Sequence, residues 1–131
     1  MSLAVGDGAL WLLARAGARA IALEPPEFAR RVAGQAAPNG FLRDLGTFQA
    51  GWYATRAIHV GTLPATWVES AVSEDGWILA AQHRERRACA LLFRPDSVLS
   101  LHAASGKRAI AAALGWLGHG MFACSKEKEN A

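Results

Sequence analysis

The side chains best suited to covalent or metal chemistry are two cysteines, Cys89 and Cys124, and four histidines, His59, His83, His102 and His119. A reactive thiolate at neutral pH needs a base or a positive charge beside it. His83 and Cys89 are close in sequence, but a strand reading of this stretch places them on opposite faces of a sheet, so they are not expected to meet. Cys124 follows His119 beyond a glycine-rich stretch that assigns no geometry to the pair. None of the six stands at the short spacing of structural zinc sites, so no catalytic residue, metal or cofactor is expected.

The cations offer more. Ser105, Gly106, Lys107 and Arg108 open a final helix, and two cations in a first turn oppose the helix dipole unless an anion sits on the free amides there. The segment is not a P-loop, because Leu101 stands where the leading glycine would be and Arg108 where the metal-binding hydroxyl would be. Arg84, Arg86 and Arg87 crowd a hairpin tip and complete the candidate anion-binding set. No aromatic residue lies among them between His83 and Leu92, which argues against nucleic acid as the partner.

Trp52, Trp67 and Trp77 fall on neighbouring predicted strands and, with Ile78, Leu91 and Phe93, form a candidate lining for a small apolar or cationic ligand. Core packing is the competing reading. His59-Val60-Gly61 resembles the His-Val-Gly strand of papain-like cell-wall peptidases, but those enzymes place a cysteine upstream and none precedes Cys89 here. His59 is therefore read as an ordinary strand residue.

The element that must position these groups is a three-stranded meander from Thr66 to Arg94. Asp75-Gly76 reads as a two-residue turn, pairing Val72 with Leu79 and Val68 with His83. The polar run Arg84–Arg87 reads as the next loop, pairing Ala81 with Ala90 and Trp77 with Arg94. Alternation then puts Trp67, Ile78, Cys89, Leu91 and Phe93 on one face, and Val72, Trp77, Leu79, His83 and Leu92 on the other. Both faces are mostly apolar, so each needs a cover: the chain's own helices, a second copy, or a ligand.

Around the meander, Asp7 is placed to cap a helix from Gly8 to Leu23, with a hairpin of Leu10–Arg15 and Arg19–Leu23 as the rival. A short helix is predicted from Pro26 to Ala33, a turn at Pro38-Asn39-Gly40, and an irregular helical turn within Phe41–Ala50. A strand is predicted over Trp52–Val60, a strand or lead-in over Val98–Ala103, and a buried helix over Lys107–Leu117.

At 131 residues the chain is long enough for one domain with a real core, and 52% hydrophobic content excludes disorder. The expected organisation is a single α+β domain over 1–124 followed by a charged, frayed tail over 125–131. Its sheet is expected to be antiparallel, with four or five strands within 52–103, N-terminal helices and a C-terminal helix packed on it. Net charge of +3 is spread along the chain and selects no acidic partner strongly. Two cysteines make no disulfide framework, so a cytoplasmic setting is expected, and glycines and His119 interrupt the one uncharged stretch, so no membrane span is. The functional expectation is a non-enzymatic binding or adaptor module, a homodimer through an apolar sheet face or bound there to a protein partner. The alternatives are a tryptophan-lined small-molecule site or small enzyme, and a weak anion or nucleic-acid contact through the arginine loop.

Overall fold

The computed structural model describes residues 2–93 and 105–124. Strand β1 (Ser2–Val5) leads into helix α1 (Asp7–Arg15), followed by strand β2 (Ala20–Ala36), a 3-10 turn over Arg43–Leu45, and strand β3 (Thr47–Ile58). Strands β4 (Trp67–Ser73), β5 (Ile78–His83) and β6 (Ala88–Leu91) come next, and helix α2 (Ser105–Cys124) closes the described chain. Among the described residues the strands make one six-stranded sheet in the order β1-β6-β5-β4-β2-β3. β1 runs parallel to β6, with Leu3 opposite Cys89 and Val5 opposite Leu91, whereas the other pairs are antiparallel.

This corrects the expected antiparallel sheet of four or five strands with N-terminal helices. The sheet is mixed and has a strand before the first helix. That helix stops at Arg15, and the helix predicted over Pro26–Ala33 is the interior of β2. The reason is pairing over a long span: Val32 lies opposite Ala50 and Gly34 opposite Phe48 on β3, and such cross-strand contacts override helix propensity. Pro25 and Pro26 fall where the β2–β3 register shifts, between Ala22 and Glu27, as residues with no N–H to give the ladder should.

The two central hairpins differ in how they follow from the sequence. β5–β6 has the expected register, with Ala81 opposite Ala90 and Gln82 opposite Cys89. β4–β5 is one residue out at both ends, with Val72 opposite Ile78 instead of Leu79 and His83 opposite Trp67 instead of Val68, and register shifts on either side of the Ala71–Ala80 pair. The connection is a three-residue loop, Glu74-Asp75-Gly76. Gly76 N–H donates to the Ser73 carbonyl at 3.0 Å, Ser73 N–H donates to the Trp77 carbonyl at 2.7 Å, and Gly76 sits at φ 91. A type I turn closed by a left-handed glycine adds one residue to the loop, and a one-residue slip moves side chains to the other face.

Two cores result, one on each side of the sheet. Trp67, Ile78, Ala90 and Leu92 pack with Ala9 and Leu13 of α1. Trp52, Leu79, Leu91 and Phe93 pack with Ala109, Ala113 and Leu117 of α2 and with Phe41, Leu42 and Leu45 from the β2–β3 connection. The chain's own helices thus cover both apolar faces. Val98–Ala103, Arg94 and the tail over 125–131 lie outside the described residues.

Candidate functional site

A sharp turn joins β1 to α1, in a backbone conformation that Gly46, after the 3-10 turn, also adopts. Gly6 stands between them at φ 63 and ψ −130, its N–H donating to the Leu91 carbonyl on β6 at 2.8 Å and its own carbonyl accepting from Leu10 N–H at 3.1 Å. A sharp strand-to-helix turn of this kind is how hydrolases lift a nucleophilic side chain above a sheet, with small residues on either side. Ala4-Val5-Gly6-Asp7-Gly8 has that outline, but the residue at the apex has no side chain. The turn also lies at the carboxyl end of the one parallel strand pair among the described residues, where open sheets hold ligands.

The chain's thiols are elsewhere. Cys89 is in the middle of β6 and fully buried, and desolvation pushes its thiol up to about 12. It is therefore a small apolar core residue at neutral pH. Cys124 is the last residue of α2. His83, as the strand reading expected, packs on the other side of the sheet from Cys89, edge-on to Trp67 with ring centroids 5.2 Å apart.

The tryptophan-lined set does not converge. Trp67 and Ile78 belong to the core under α1, and Trp52, Leu91 and Phe93 to the core under α2, with Trp77 packed at the latter's margin. Trp52 is 2% exposed and its indole Nε1 has no hydrogen-bond partner, so its surroundings are packed side chains. Trp67 pairs with His83, and the consecutive residues Leu79 and Ala80 both pack on the α2 side, so Trp67 and Ile78 part from Leu91 and Phe93.

The arginine set is partly brought together. Arg84 turns back to the Ala65 carbonyl, in a shallow cleft beside Trp67 and Glu69. Arg86 is exposed at the loop tip. Arg87 instead lies over the Trp116 ring, 5.0 Å from its centroid. On α2, Ser105 and Gly106 form the first turn and Lys107 is exposed, while Arg108 Nη2 donates to the Asp44 carbonyl at 2.8 Å.

Those contacts outline a second cleft of about 470 Å³ between α2, the 41–44 turn and the β5–β6 loop. Local chemistry positions each wall. His83 Nδ1 accepts from the Glu85 and Arg86 N–H groups at 3.1 and 3.0 Å and so shapes the loop that carries Arg87. Gln82 Oε1 accepts from Phe41 N–H at 2.9 Å and from Ser70 Oγ at 3.0 Å, tying the 41–44 turn to β4 and β5. Phe41 then meets Trp116 with centroids 5.8 Å apart and planes tilted by 35°. Arg43 and Asp44 were not singled out by sequence, because only the fold brings the β2–β3 connection against α2.

No protein-family model and no curated protein sequence matches the chain. Solved structures do. A protein from Thermoplasma acidophilum, provisionally described as one component of a GMP synthase, is similar with a TM-score of 0.76 at 17% identity, over 92% of this chain and 59% of that one. A glutamine amidotransferase from Thermotoga maritima is similar with a TM-score of 0.60 at 17% identity, over 96% of this chain and 50% of that one. The chain shares its fold with these proteins and spans between half and three fifths of their length. Among the described residues no helix is long and apolar enough to cross a membrane.

Proposed function

We propose that the chain is a binding module built on the glutamine amidotransferase fold, working through association and without hydrolysing an amide. One observation carries this reading: glycine occupies the apex of the β1–α1 turn, where φ 63 and ψ −130 would present a nucleophile. Breaking a carboxamide by a covalent route needs an activated nucleophile with a base or positive charge at hand. Glycine offers no atom for it, and Cys89 is buried with its thiol pushed up to about 12. Binding does not use the sheet itself, since α1 and α2 fill both of its faces. The test is ammonia release from glutamine, followed with the purified full chain. No release above the buffer rate is expected, and turnover that co-purifies with the folded protein and scales with its concentration would overturn the reading.

A further inference from the structure

The geometry points to the cleft between Phe41, Arg43, Arg87, Gly115 and Trp116 as a site for a small organic oxyanion, a carboxylate or phosphate attached to a flat apolar ring. At about 470 Å³ the cleft is of small-ligand size. Three chain segments, far apart in sequence, supply its walls. Arg43 and Arg87 line the cleft with one carboxylate, Asp44, among its lining residues, and Arg108 beside it donates to the Asp44 backbone carbonyl. Among the described residues no carboxylate pairs with Arg87, which rests instead on the Trp116 face. A guanidinium held this way keeps its N–H donors free at its edge and is fixed before a ligand arrives. That is the arrangement that recognises carboxylate or phosphate by paired hydrogen bonds. Phe41 and Trp116 add an apolar wall, and nothing lies within 4 Å of where a Gly115 Cβ would be, so the approach along α2 is open. The combination of cations and aromatic surface selects a ligand with both an anionic group and a ring, over either alone.

The inference places the binding reading above at one site. Ammonia release from glutamine would overturn that reading and leave this one standing, because the cleft does not depend on Gly6. Calorimetric titration of the full chain with phenyl phosphate, benzoate, inorganic phosphate and benzyl alcohol tests it. Phenyl phosphate or benzoate is expected to bind at least tenfold more tightly than inorganic phosphate and benzyl alcohol. Which of the two wins distinguishes a phosphate from a carboxylate source. Arg87→Ala should weaken the preferred probe tenfold or more. Gly115→Leu should abolish binding by filling the cleft while leaving thermal stability equal or higher, since leucine favours a helix over glycine. Three results would each overturn the inference: no heat with any probe, inorganic phosphate binding as tightly as phenyl phosphate, or Gly115→Leu binding like the parent.

Discussion

The turn at Gly6 and the cleft at Trp116 belong to the two helices that flank the sheet, and they are specified in opposite ways. At Gly6 the backbone is demanding and the side chain is absent. At Trp116 the backbone is ordinary helix and the side chains carry all the chemistry, with Arg87 stacked on the ring and Arg108 holding the neighbouring turn. The geometry at Gly6 has a structural use of its own, because it is what joins β1 to α1. Charged side chains gathered at a surface have no such structural excuse.

The largest effects should come from removing the anchor under each helix. Leu13→Ala, at a fully buried position beneath α1, and Leu117→Ala, 4% exposed beneath α2, should each cost about 2–5 kcal/mol in urea unfolding. Only the second should also disturb the cleft, seen as a change in Trp116 emission. The same substitution at two glycines draws the contrast more sharply. Gly6→Ala should destabilise by about 1–3 kcal/mol, because a Cβ is rarely tolerated at φ 63. Gly115→Ala, in an open helical position, should stabilise by about 0.5–1 kcal/mol. Equal effects at the two sites would remove the distinction between them.

A smaller effect concerns pH. Burial raises the Cys89 thiol from 9.0 to about 12, so the unfolded chain loses this proton at lower pH than the folded one. The contribution is complete below pH 9 and declines as pH rises from 9 towards 12. The stability difference between the parent and Cys89→Ala should therefore shrink across that window in parallel urea titrations, and a difference that grows would mean the thiol is not desolvated.

Much of the sheet's centre is legible in the sequence. Arg84–Arg87 fixes the β5–β6 loop, and the alternation of Cys89, Leu91 and Phe93 against Ala88, Ala90 and Leu92 gives the two buried faces correctly. What escapes is decided by distant partners. Ser2–Val5 is too short to announce itself as a strand, and its partner β6 begins at Ala88. With β1 unseen, Asp7 reads as a helix cap and Gly6 as nothing in particular. Pro26–Ala33 carries helix-compatible residues, and only Gln49 to Ala54 across the ladder turn it into strand. The third loop residue at Glu74-Asp75-Gly76 is a local matter. Asp-Gly suits both a two-residue turn and the end of a three-residue one, and Ser73 bonding to Gly76 and Trp77 decides between them. Of the cleft, Arg87 and Arg108 are visible as loose cations, whereas Arg43, Phe41 and Trp116 join them only once α2 lies beside the 41–44 turn.

The central claim is that Gly6 holds a presenting turn that lacks only its side chain. Alkylation by iodoacetamide at pH 8 tests it most directly, comparing Gly6→Cys with the parent in a Cys124→Ser background. A thiol at a helix N-terminus and a strand-to-helix apex should be modified readily, while the desolvated Cys89 stays protected until the protein unfolds. A Gly6→Cys protein that is folded by circular dichroism yet no more reactive than the parent would contradict it.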